Sequence, residues 1–159
     1  MSDKQVDFDE VAFRCLKGRR DAVVFIKMMC DILHTWDDLI DRDKPVDPEA
    51  INRAFFTALV TLPRDPFYAA NFALLNPIVE TAIYNWWTAN LYEASSDEDR
   101  LRAAFILRSS YSDIATMCAR IVGGPDWART VGPEIHDHWH GEGWAKYLLN
   151  LEHEKECRA

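Results

Sequence analysis

Residues 20–41 read RDAVVFIKMMCDILHTWDDLID. On a wheel at about 100° per residue, Ala22, Phe25, Met29, Ile32, Trp36, Leu39 and Ile40 form one apolar stripe. Lys27, Asp31, His34 and Asp38 lie opposite it, with Asp37 and Asp41 on the flank. The stretch is therefore an amphipathic helix with one face against a core, and helical punctuation recurs on either side of it. Asp47-Pro48, Asp65-Pro66 and Asn76-Pro77 each pair a capping side chain with proline at the first helical position. Ser95 and Glu98 have capping-box spacing. Gly18, Pro63 and Gly123-Gly124-Pro125 act as stops. The pattern predicts helices over 7–17, 20–41, 48–62, 66–74, 77–93, 97–122 and 126–154. The last is interrupted at Gly141 and Gly143, because glycine costs about 1 kcal/mol in a helix interior. No stretch alternates with period two and no internal repeat is visible. The expectation is an all-α, compact six- to seven-helix single domain spanning residues 1–159.

Composition supports a packed core. The chain has 159 residues, 48% of them hydrophobic and 12% aromatic, with six tryptophans. That length suffices to bury roughly two-thirds of the unfolded surface. The formal charge of −8 argues against bulk nucleic-acid binding, which needs a basic face. The one basic run, KGRR at 17–20, reads as a helix stop with cations on the last turn. The acidic, polar MSDKQVDFDE has no signal-peptide character, and no apolar run nears the ~18 residues of a membrane span. Cys15, Cys30, Cys118 and Cys157 are scattered, as reduced core thiols are, so a cytoplasmic location is expected.

The stretch HTWDDLIDRDKP, residues 34–45, puts four aspartates within seven positions at a helix C-terminus. Negative charge there opposes the helix dipole, at a few tenths of a kcal/mol per residue. Either the run is a solvated helix end, or something positive sits beside it. Asp37 and Asp41 are one turn apart, and Asp38 and Asp41 are three residues apart, so two or three carboxylates can converge on one Mg²⁺. His34, one turn before Asp38, is the nearest candidate general acid or base.

DDLID (Asp37–Asp41) resembles the DDxxD motif of class I isoprenoid synthases, all-helical enzymes that hold a diphosphate through Mg²⁺. The likeness covers five residues, in a chain about half the length of those enzymes. The nearest counterpart of their second metal motif is Asn85, Ala89 and Glu93, with alanine at the serine position. HTWDDLIDRDKPV together with ILRSSYSDIATMCARIVGGPDWA is also similar to uncharacterised small helical bacteriophage proteins, which implies a viral origin and no particular activity.

A second constellation faces the core. Asn90 and Glu93 share the helical face of Val79, Ala82 and Trp86, while His136, Asp137 and His140 share that of Trp144, Tyr147, Leu148 and Leu151. His136 and His140 are at i, i+4, a spacing that allows two imidazoles to reach one metal, with Glu93 or Asp137 as the oxygen ligand. The same spacing serves a hydrogen-bonded core pair. Asp113, one turn after Ser109, is placed to join either metal site or to pair with Arg120. HDHWH resembles part of the HD phosphohydrolase pattern, but no aspartate follows Asp137. The tryptophans Trp86, Trp87, Trp127, Trp139 and Trp144 fit either a core or an aromatic pocket, and no phosphate loop or nucleophile elbow appears.

Two functions follow as expectations. One is a small Mg²⁺-dependent enzyme that transfers or hydrolyses a phosphate or diphosphate of a small-molecule substrate, with Asp37, Asp38 and Asp41 on the metal. The other is a non-catalytic helical interaction protein, of viral type, that binds a host or partner protein through an acidic face. The enzyme requires a pocket walled by the DDLID carboxylates. The binding protein does not.

Overall fold

A computed structural model describes residues 8–42 and 44–158, with only the backbone of residues 157 and 158. Helices account for most of the described residues, and no strand occurs among them. Nine α-helical segments follow in order: α1 (Phe8–Cys15), α2 (Arg20–Asp41), α3 (Pro48–Phe56), α4 (Pro66–Ala70), α5 (Phe72–Glu93), α6 (Glu98–Leu107), α7 (Tyr111–Gly123), α8 (Pro125–His140) and α9 (Trp144–Arg158). They correspond to the seven expected stretches with 97–122 and 126–154 divided; in addition the 48–62 helix passes after Phe56 into a π-helical turn (Thr57–Thr61), and the boundary expected at 74–77 falls at Asn71. The reason for each division is local.

The stretch 97–122 breaks at residues 108–110, where Ser110 Oγ donates to the Leu107 carbonyl and draws the chain into a turn. The stretch 126–154 breaks at Gly141, whose left-handed φ of 71° ends α8. Asn76-Pro77 does not start a helix. Pro77 lies inside α5, and the Asn76 side chain accepts from the Tyr68 hydroxyl at 2.8 Å instead of capping. Asp47 and Asp65 do cap, on Glu49 N and Tyr68 N. For α6 the cap is Asp97, which accepts from the amides of Asp99 and Arg100, while Ser95 Oγ accepts from Asp97 N. Gly18 closes α1 as expected, with φ of 72° and its amide on the Phe13 carbonyl.

The core gathers Val11, Phe25, Ile26, Met29, Phe67, Leu75, Ile114, Ile135 and Trp139, from α1, α2, α4, α5, α7 and α8, with Leu16 from the turn after α1. Packing is densest where α7 runs along α8 and α5 along α6. Toward its end α2 presents a different face from the expected one: Ile40 is exposed and Asp41 is buried. The chain thus puts a carboxylate inside, and that needs a partner. Cys15, Cys30 and Cys118 are buried free thiols, and the Cys157 side chain lies outside the described residues. No described helix is long and apolar enough to cross a membrane.

Candidate functional site

The positive charge beside DDLID is an arginine. Arg108 is the residue just after α6, at the turn into α7, and this corner aims its guanidinium between α2 and α5. Nη2 donates to Asp37 Oδ1 at 2.8 Å and to Asp41 Oδ2 at 2.9 Å. Nη1 donates to Glu93 Oε2 at 2.8 Å and, more weakly, to Asn90 Oδ1 at 3.4 Å. Two further donors complete the set: Trp86 Nε1 to Asp37 Oδ1 at 3.0 Å, and the Tyr147 hydroxyl to Glu93 Oε1 at 2.6 Å. The side chains of Glu93 and Asp41 are 1% and 5% exposed, that of Asp37 35%.

Burial disfavours the charged guanidinium, but Asp37, Glu93 and Asp41 together outweigh it and raise the Arg108 pKa further above its ordinary value. Burial, reinforced by the bond to Glu93, likewise lifts the Tyr147 phenol well above the usual range. The assembly is a buried charge network that ties α2, α5, α9 and the α6–α7 corner together. Four of the residues singled out from sequence meet here: Asp37, Asp41, Asn90 and Glu93. Trp86 and Tyr147, read from sequence only as core-facing aromatics, join them as hydrogen-bond donors, and the residue that sequence reasoning passed over is Arg108. For Arg108 a signal existed, because Leu101, Ala104 and Arg108 share one face of α6 and Ala104 is fully buried. A cation continuing a buried stripe calls for carboxylates on a neighbouring helix.

This arrangement bears on the Mg²⁺ expectation. The guanidinium occupies the position from which a divalent ion would bridge Asp37 and Asp41. Both oxygens of Glu93 are engaged as well. The third aspartate, Asp38, turns away and pairs with Lys44 at 2.9 Å. As assembled, the carboxylates fit an arginine and not a divalent cation. Among the described residues no three His, Cys, Asp or Glu side chains are placed to share a metal.

Asp37 and Arg108 do border a cavity, with Met29, Leu33, Val79 and Ile114 among its walls, but its volume is only about 70 Å³. Ligand pockets usually run from about 300 to 1,000 Å³. His34 edges this cavity, with its ring edge-on to Tyr111 at 6.4 Å, and also lines a shallow groove of about 390 Å³ between α2 and α3. Asp38 and Arg53 share that groove. Burial pushes the Tyr111 hydroxyl up to about 12.

His136 and His140 are anchored by serines of the α6–α7 turn and α7. His136 Nδ1 lies 3.0 Å from Ser112 Oγ, and His140 Nδ1 is in short contact with Ser109 Oγ. Asp113 stands 3.9 Å from His136 Nε2. His140 Nε2 is buried without a partner among the described residues, and the ring packs edge-on to Phe105 at 4.1 Å. Burial lowers the His140 pKa. Of the two carboxylates expected to complete a metal set with these histidines, Glu93 is held by Arg108 and Tyr147 instead, and Asp137 is exposed at the rim of a groove. The histidines, Asp113 and Asp137 line a groove of about 600 Å³ with Asn85, Ile106 and Ser109. Ser112 is 1% exposed, so it serves as an anchor and not as a nucleophile.

Asn85 donates to Ser110 Oγ at 2.9 Å and Ala89 is fully buried, so the nearest counterpart of a second metal motif forms helix-packing contacts. Compared with family models, curated proteins and solved structures, the chain matches none.

Proposed function

We propose that the chain is a helical interaction protein whose partner-binding face is the outward side of α5. One observation carries this reading. Tyr84, Trp87 and Leu91 are 53%, 50% and 76% exposed, on one side of a helix whose only exposed charge in 22 residues is Glu80. Single exposed apolar residues are ordinary on a protein surface, but a contiguous aromatic strip is not. A helix apolar all round is normally buried, and tyrosine and tryptophan are enriched where partners bind. The DDLID carboxylates contribute indirectly, since their charge is directed at Arg108 and Lys44 and not outward as an acidic docking surface.

The test is capture by the immobilised chain from extracts of its source, set against a Trp87→Glu, Leu91→Glu variant with an unchanged melting curve. The expected result is a protein retained in stoichiometric amount by the parent and lost by the variant. Identical capture by both would refute the reading.

A second reading, the Mg²⁺-dependent phosphate or diphosphate enzyme, draws support from the α2–α3 groove. There His34 and Asp38 stand with Arg53, a cation suited to phosphate oxygens. Mg²⁺-dependent turnover of diphosphate or phosphomonoesters, lost in His34→Ala and Asp38→Asn, would establish it. No turnover in the parent would dismiss it.

A further inference from the structure

We propose, resting on the interaction reading above, that the partner of α5 is a second copy of this chain, packed antiparallel about a two-fold axis between Tyr84 and Trp87. The exposed positions Ala73, Pro77, Glu80, Tyr84, Trp87 and Leu91 are spaced alternately four and three apart. That is the repeat by which one helix offers a seam to another, with side chains of each filling holes in its neighbour. In most helices such a seam faces the protein's own core. Here it faces outward, while the other sides of α5 already pack on α6 and α7.

Charge identifies the occupant. The seam has no cation and one anion, so neither a basic nor an acidic partner finds an array of counter-charges on it. A bilayer surface is disfavoured for the same reason, since interfacial helices carry Lys and Arg along the polar edge and the chain as a whole has a charge of −8. The seam does complement itself. The point midway between Tyr84 and Trp87 is also midway between Glu80 and Leu91. Beside Leu91, Tyr92 lies under the Arg100 guanidinium, 5.8 Å from the ring centroid. Arg100 makes no ion pair with a carboxylate among the described residues. An antiparallel two-fold therefore sets Glu80 of each copy against Arg100 of the other, and symmetry makes the contact twice. At the centre, Tyr84 and Trp87, already in edge-to-face contact at 5.7 Å within one copy, meet the same pair from the second. The antiparallel sense also opposes the two helix dipoles favourably.

The exposed parts of Tyr84, Trp87 and Leu91 amount to on the order of 300 Å² per copy, given the 150–250 Å² that a whole aromatic side chain buries. Stable complexes bury about 800 Å² per partner, so the dimer is weak, with a dissociation constant of about 10–100 µM.

Sedimentation velocity from about 1 to 500 µM protein tests this, a range that brackets the expected constant. The parent should pass from monomer to dimer and stop there. Trp87→Glu with Leu91→Glu should stay monomeric. Glu80→Arg should weaken the dimer about tenfold or more, an amount typical of like charges in contact. Glu80→Arg combined with Arg100→Glu should restore it, which only the antiparallel register allows. All substituted positions are exposed, and far-UV circular dichroism checks their folding. A parent that remains monomeric overturns self-pairing while leaving capture of a different partner by α5 to be judged by its own variant. A dimer indifferent to the seam variants, or a charge swap without rescue, also overturns it. If the seam variants lose no partner of any kind, the interaction reading fails with it.

Discussion

Replacing Arg108 with methionine keeps the length of the stem and deletes the charge at the centre of the network. The cost can be worked out contact by contact. Asp37 is 35% exposed, so water recovers most of its lost interaction, worth about 1 kcal/mol or less. Glu93 and Asp41, at 1% and 5%, have no such access. Removing the partner of a buried ion pair costs about 3–5 kcal/mol, because a desolvated charge is left behind. Tyr147 still donates to Glu93, which places the net loss near 4 kcal/mol. At about 2–4 °C per kcal/mol for a domain of this size, the melting temperature should fall by about 8–16 °C. That is a large fraction of the 5–15 kcal/mol by which domains are usually stable. Thermal and urea melts followed by circular dichroism measure it. Adding Glu93→Gln to Arg108→Met should recover about 2 kcal/mol, since the most deeply buried orphan charge is gone while its bond from Tyr147 survives. A loss below about 1 kcal/mol for Arg108→Met would refute the network's structural role. So would a double variant no more stable than Arg108→Met alone.

Divalent ions should leave the melting temperature of the parent unchanged, because Arg108 bridges Asp37 and Asp41, whereas Arg108→Met should be stabilised by millimolar Mg²⁺ or Ca²⁺. A rise in the parent that Asp37→Asn or Asp41→Asn abolishes would instead restore the metal reading. Burial holds His140 below the ordinary histidine pKa, so the unfolded chain takes up the proton first. Its contribution to stability is complete above about pH 6.5 and declines on acidification below that value, and His140→Gln should flatten this acid limb of a melting-temperature profile. In a Cys157→Ser background, alkylation of the native protein near pH 8 should be slow. Burial pushes Cys15 and Cys30 up to about 11 and Cys118 higher still, and unfolding should release all three thiols.

Local chemistry was the legible part of this fold. Capping by Asp47 and Asp65 and the left-handed stop at Gly18 depend on neighbours within a few positions, so spacing alone places them. Asn76-Pro77 misled because the cue for a helix start says nothing about whether a helix is already running through it. Arg108 was hidden for a different reason. It lies 67 residues from Asp41, and the stretch around it reads as an unbroken helix until Ser110 folds the chain at the corner. The wheel did point Glu93 and Asn90 inward. It could not supply the cation that makes that orientation tolerable, because a wheel describes one helix and a buried charge is a relation among several.

The same limit explains α5. Trp86 and Trp87 are adjacent and chemically alike, yet one donates its indole to Asp37 and the other stands half exposed. Periodicity identifies which residues share a face, but when both faces are apolar it cannot say which of them the fold covers. In α5 the covered face is selected by the charge network, since Asn90 and Glu93 must reach Arg108 and Trp86 must reach Asp37. The helix is thereby held in one rotation, with Tyr84, Trp87 and Leu91 outward. The buried ions and the exposed aromatic seam are thus two sides of one constraint: the network that anchors the inner face of α5 also fixes which of its apolar faces stays outward.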